Sequence, residues 1–209
     1  MIQVVLFLLT FASTYMVGEA MSQHSGLVYA GPLMLIIGCH EGAHYVMCRL
    51  HGVRSTPPNF LPAPFPPVGT FGAVIMMKDN LPNRRAAFDI GIAGPLAGFI
   101  VAVPCVVLGL YSSRVVPTAE MGDAYLQLGE PLLFKLLSQA MYGNLEGQEL
   151  MLHPLGYAGW IGLLLTALNL LPAGQLDGGH IAYAVFGPRV NRFFWLLIAA
   201  LVAMSVYYW

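Results

Sequence analysis

Five apolar runs, separated by polar or broken stretches, set the pattern of this chain. Ile2 to Val17 is apolar but for small hydroxyls and Gln3, and it closes at Gly18-Glu19. Leu27 to Cys48, Phe88 to Leu110, Leu155 to Leu171 and Phe193 to Tyr208 follow. Each is close to the ~20 residues that cross a bilayer as a helix, and the glycines and prolines that interrupt the third are tolerated in membrane helices. The first run lacks the basic leader of a signal peptide, so it is predicted to be a retained span. Two stretches break the pattern. Phe60 to Met77 lies among too many prolines for a span (Pro57, Pro58, Pro62, Pro64, Pro66 and Pro67), yet Gly69 to Met77 is apolar and rich in β-formers. It reads as a re-entrant or membrane-facing β element, or else as a proline-rich loop resting on the membrane. From Leu126 to Tyr142, Leu128, Leu132, Leu133, Leu136, Leu137 and Met141 recur at helical spacing, which predicts an amphipathic helix on the outer surface. The expected fold is an all-α polytopic membrane protein. It has about five to six transmembrane helices, a re-entrant β-like segment around residues 60–77, and a single domain over 1–209. The last run stops at Trp209 without a polar tail, as expected for an end at the interface or a truncated chain.

Composition sharpens the class. The chain is 57% hydrophobic and 9% charged, with a mean hydropathy of +0.70. Soluble domains carry about 25% charged residues, so an integral membrane protein is implied. A net charge of −1 excludes the basic surface a nucleic-acid partner needs. Three cysteines, an odd number in apolar surroundings, suit packing rather than a disulfide framework.

The loop charges orient the spans. Arg49, Arg54, Lys78, Arg84 and Arg85 lie between the second and third runs, and Arg189 and Arg192 between the fourth and fifth. The Ser112 to His153 loop is acidic, with Glu120, Asp123, Glu130, Glu146 and Glu149 against Arg114 and Lys135. The positive-inside rule then puts the N-terminus in the cytoplasm. The second run thus ends on the cytoplasmic side.

That run holds His40-Glu41-Gly42-Ala43-His44. The H-E-x-x-H spacing stacks two imidazoles on one helical face, where they can grip one zinc ion, with the glutamate as general base. Three ionisable groups inside such an apolar segment are costly unless they bind something. His44 lies just over one turn from Arg49, so the site falls in the cytoplasmic half of its span. Two histidines do not hold a catalytic zinc alone. Asp177, in Leu176-Asp177-Gly178-Gly179, follows the fourth run at the same depth, and the adjacent glycines would let backbone approach a metal closely. His180, three residues later, is its main competitor and could share a helical face with it; otherwise it reads as a residue that supports the ligands or starts a helix. His24, His51 and His153 fall in loops or interfaces and read as solvated. Cys39 is turned about 100° from His40 and reads as core, Gly94-x-x-x-Gly98 as a helix-packing motif, and Asp89 as interfacial or helix-starting.

Gly38 to His44 together with Asn169-Leu170-Leu171-Pro172-Ala173-Gly174-Gln175-Leu176-Asp177-Gly178-Gly179-His180 resembles the site-2 protease family of intramembrane zinc metalloproteases. Phe60 to Pro64, Gly69-Thr70-Phe71-Gly72-Ala73, Pro82 to Arg85 and Phe88 to Gly98 resemble its branch of short prokaryotic members and plastid relatives. The likeness runs over a core of 27–187, with 1–26 and 193–209 as flanking spans. It implies one Zn2+ held by His40, His44 and Asp177, with Glu41 as catalytic base. It also implies Asn169 on the substrate carbonyl or oxyanion; an amide within a span otherwise reads as a helix-to-helix hydrogen bond. Gly42 departs from relatives, which often carry a larger residue there. The resemblance favours the re-entrant reading of 60–77, whose Gly69, Thr70, Phe71 and Gly72 could pair with an extended substrate strand by edge addition.

The function expected is an intramembrane endopeptidase. Its partners would be the bilayer and a transmembrane helix of a protein substrate, and its place a prokaryotic cytoplasmic membrane. A non-hydrolytic zinc-binding or zinc-transport protein is the alternative, since buried His and Asp also line metal pathways. It is weakened by the concentration of ligands in one leaflet.

Overall fold

Each of the five apolar runs folds as a helix, which satisfies its backbone polar groups within the segment. The computed structural model describes residues 1–21, 25–118, 129, 131–145, 147–187 and 190–208. The helices are α1 (Ile2–Met21), α2 (Leu27–Leu50), α3 (Arg84–Tyr111), α4 (Leu132–Tyr142), α5 (Pro154–Asn169), α6 (Asp177–Phe186) and α7 (Val190–Tyr208). The strands are β1 (Asn59–Pro62), β2 (Thr70–Val74), β3 (Arg114–Pro117) and β4 (Gln148–Met151). Among the described residues, α1 and α3 are long and apolar enough by themselves to cross a membrane. The other apolar helices fall short for visible reasons. α2 carries His40, Glu41, His44 and Arg49, α5 has only 16 residues, and the apolar part of α7 is Phe194–Val206. Large apolar side chains such as Leu8, Leu35, Leu96, Ile100, Leu108 and Trp195 point outward.

α3 packs against α2, α5 and α6. Small residues make that closeness possible. A Cβ on Gly109 would land on the backbone of Gly156, and one on Gly162 would press on Ile36. Asn83 caps α3, its Oδ1 accepting from the Ala86 N–H at 2.8 Å. His153, expected to be a solvated loop residue, instead caps α5, with Nδ1 accepting from the Leu155 N–H at 3.3 Å. α4 covers the C-terminal part of the expected amphipathic helix and buries Phe134, while residues 126–128 lie outside the described set. His24 and the acidic residues Glu120, Asp123, Glu130 and Glu146 lie outside it too.

The segment around residues 60–77 is an antiparallel β1–β2 hairpin. Its base is closed by a Ser55–Met77 bridge and by Arg54, whose guanidinium and backbone N–H both bind Asp79. Arg54 beside it pushes the Asp79 carboxyl down to about 2. Both side chains are substantially exposed, so this clasp is a weak one. The shorter β3–β4 pair had no counterpart among the predicted elements, whereas Asp177 and His180 do share one helix, α6. His51 also departs from the solvated expectation: its Nε2 lies 3.0 Å from Asp89 Oδ2, and both side chains are partly buried.

Candidate metal centre

Two helices supply the candidate ligands, and two more orient them. α2 supplies His40 and His44 from consecutive turns, with ring centroids 4.9 Å apart. α6 supplies Asp177 from its first turn, where a carboxylate also complements the helix dipole. His40 Nε2 lies 3.1 Å from Asp177 Oδ2, and His44 Nε2 lies 3.1 Å from Asp177 Oδ1. The ligand atoms of the three residues all lie within 4.8 Å of one another. Neighbouring donors on a tetrahedral zinc with ~2.0 Å bonds are about 3.3 Å apart. Two imidazoles and one carboxylate at this spacing therefore fit a zinc ion in both chemistry and geometry. The histidines are 6% and 4% exposed, so the cluster is sunk in the bundle.

Further contacts orient these groups. The Nδ1–H of His44 donates to the Ile90 carbonyl at 2.7 Å, which leaves the Nε2 lone pair free to face a metal. Asn169, at the end of α5, holds its Nδ2 3.4 Å from His40 Nε2. Glu41 is equally buried at 6% exposure, and the Ile75 backbone, just past β2, lies beside its carboxylate. Glu41, the three candidate ligands and the Asn169 amide thus lie close together. His180 is not part of the ligand cluster among the described residues. Its Cβ packs against Gly91 of α3. Cys39 is half-buried and likewise outside the cluster.

Two sets of glycines position this chemistry in ways the sequence does not display. A Cβ on Gly94 would overlap the His44 imidazole, and one on Gly98 would come within 3.1 Å of His40 Nδ1. The Gly94-x-x-x-Gly98 face of α3 is a helix-packing surface, as its pattern suggests, and what it packs against is the ligand pair. Gly178 and Gly179 had been expected to let backbone approach a metal. Here they let α6 close onto the turn before it, since a Cβ on either would strike the carbonyls of Leu170 or Gly174. That tight turn carries Asp177 back to α2.

Gly69, Thr70, Phe71 and Gly72 span the hairpin tip and the start of β2. The Thr70 hydroxyl donates to Leu61 O at 2.8 Å and Gly69 is packed on α1. Phe71 faces outward, and no heavy atom outside its immediate neighbours lies within 4 Å of the Cβ position of Gly72.

Residues 28–206 match the profile of peptidase family M50. The probable chloroplastic zinc metalloprotease EGY2 of Oryza sativa subsp. indica is 33% identical over 186 residues, covering 83% of this chain and 33% of that protein. The probable chloroplastic zinc metalloprotease EGY1 of Arabidopsis thaliana is 34% identical, covering 80% of this chain and 31% of that protein. The chain spans about a third of the length of these relatives. Among solved structures, a site-2 protease from Methanocaldococcus jannaschii aligns over 97% of this chain and 80% of its own, with a TM-score of 0.46 and 18% identity.

Proposed function

This chain belongs to peptidase family M50, and from that premise we propose that it is an intramembrane zinc endopeptidase, hydrolysing peptide bonds within transmembrane segments of other proteins. The observation that carries the reading is the convergence of His40, His44 and Asp177 on a site that also holds Glu41. In this reading those three residues hold the ion. Bound there, zinc would polarise a scissile carbonyl and draw the pKa of water toward ~7. Glu41 takes a proton from the attacking water and passes it to the leaving amine. The Nδ2–H of Asn169 donates to the carbonyl oxygen as it gains negative charge. The Ile90 carbonyl keeps His44 in the tautomer that presents Nε2. Water enters beside Asp177, the most open of the three at 16% side-chain exposure.

A transmembrane substrate hides its carbonyls in helical hydrogen bonds and has to unwind before hydrolysis. β2 has β1 on one edge and no strand on the other among the described residues. An unwound segment can add to that open edge, beside the outward-facing Phe71 and Val74. The bundle is read as five to six spans, with α2, α5 and α7 crossing alongside α1 and α3. Its N-terminus is cytoplasmic and its site lies nearer the cytosol, in a prokaryotic cytoplasmic membrane. The basic loops after α2 and α6 support that orientation.

Metal removal tests the reading. Stripping the purified protein with a strong zinc chelator is expected to stop cleavage of a membrane-embedded reporter, and adding back one equivalent of zinc to restore it. Cleavage that continues undiminished in the stripped protein contradicts it.

A further inference from the structure

Three hydroxyl groups from three helices converge on three successive carbonyl oxygens at the tip of the β1–β2 hairpin. Tyr157 on α5 donates to Pro67 O at 3.2 Å, Tyr29 on α2 to Val68 O at 2.7 Å, and Ser13 on α1 to Gly69 O at 2.7 Å. All three donors are buried, and the two tyrosine rings stack at 5.5 Å. Gly69, with φ +82, sits so close to α1 that a Cβ there would come within 2.9 Å of Thr14 Cα. A loop lying on a surface has its carbonyls satisfied by water. Here Pro64 to Pro67 stay exposed, but the carbonyls of residues 67–69 are tied to the bundle and Gly69 is seated against α1.

β2 packs along α2, with Ala73 in one core cluster with Tyr29, Leu33 and Ile37, and the other end of the same strand brings the Ile75 backbone beside Glu41. From Gly69 to Ile75 is six residues, about 20 Å of extended chain. From Tyr29 to Glu41 on α2 is twelve residues, about 18 Å of helix. Strand and helix thus run side by side, with the tether at one end and the base at the other. Moving the hairpin by one residue would move every backbone group on β2 by ~3.3 Å and turn its side chains to the other face.

We propose that Ser13, Tyr29 and Tyr157 act as a depth stop for the hairpin, fixing which peptide bond of a strand added to β2 reaches Glu41. They are positioning residues for cleavage register, and the inference rests on the protease reading above. Tyr29→Phe/Tyr157→Phe removes two of the hydroxyls while keeping the stacked rings. In that variant, with zinc content unchanged, KM for a membrane reporter is expected to rise roughly tenfold with kcat little altered. Mass spectrometry of the products should find cuts spread to neighbouring bonds. Tyr142→Phe, which removes a hydroxyl donated to Leu110 O elsewhere in the bundle, should keep the wild-type cut. An unchanged cut and KM in the double variant overturn the proposal. Loss of zinc or of the folded bundle also overturns it, because the hydroxyls would then support the fold rather than the register.

A second measurement does not depend on cleavage. With Cys39, Cys48 and Cys105 replaced by alanine and Phe71→Cys introduced, the protein is labelled in vesicles with a membrane-impermeant maleimide. Labelling should rise several-fold in the Tyr29→Phe/Tyr157→Phe background, and equal labelling overturns the depth stop. A rise in labelling for a protein that cuts no reporter would leave the depth stop standing and reject the protease reading instead.

Discussion

Glu41→Gln is expected to lower cleavage of a membrane reporter by roughly 10²–10⁴-fold, the usual worth of a positioned general base, while the protein keeps its zinc. The two effects separate because Glu41 stands next to the ligand cluster without belonging to it. Glutamine has the same length and nearly the same volume, so the packing at this buried position is preserved. What it lacks is a basic oxygen to take the proton of the attacking water and carry it to the amine. A reporter assay run beside metal analysis on the same preparations reads both. Wild-type cleavage rates in Glu41→Gln would remove Glu41 from the chemistry, and loss of zinc would make it a ligand.

Gly94→Ala is expected to cost most of the bound zinc although it adds a single methyl group. α3 contacts His44 twice, through the Ile90 carbonyl that holds Nδ1 at 2.7 Å and through the Gly94 backbone, where a Cβ would overlap the imidazole. Gly94 lies in the interior of a 28-residue helix packed against α2, α5 and α6, so its backbone has little freedom to withdraw. His44 therefore has to swing aside, breaking the Ile90 hydrogen bond and carrying Nε2 away from Asp177. Gly98→Ala should be milder, because its Cβ would meet His40 at 3.1 Å and a shift of a few tenths of an ångström relieves it. Gly42→Ala is the control. Its Cβ would point into open space and alanine is the better helix former by up to ~1 kcal/mol, so zinc should be retained. Equal zinc content in all three variants, measured with helical content unchanged, would show that α3 does not seat the ligands.

Much of this arrangement is legible in the chain because it depends on local periodicity. The apolar runs read as helices, and the H-E-x-x-H spacing puts His40 and His44 on one face before any partner is known. Asp177 is reachable by counting spans and loop charges. What stays hidden depends on which surfaces meet. A Gly-x-x-x-Gly face looks the same whether it receives a leucine or an imidazole, so the seating of His44 by Gly94 has no signature of its own. Ser13, Tyr29 and Tyr157 are ordinary residues on three helices far apart in sequence, and only their meeting at Pro67, Val68 and Gly69 gives them a common role. The glycines after Asp177 have a visible need for closeness, but whether to a metal or to the preceding turn is a tertiary matter. β3 and β4 are four residues each, too short to show a period.

His40, His44 and Asp177 are together expected to hold one zinc ion. Zinc bound per chain, measured on purified wild type, Asp177→Ala and His180→Ala, tests it most directly. One zinc in wild type and in His180→Ala, with little or none in Asp177→Ala, is the predicted result. Zinc retained in Asp177→Ala but lost in His180→Ala would instead make His180 the third ligand.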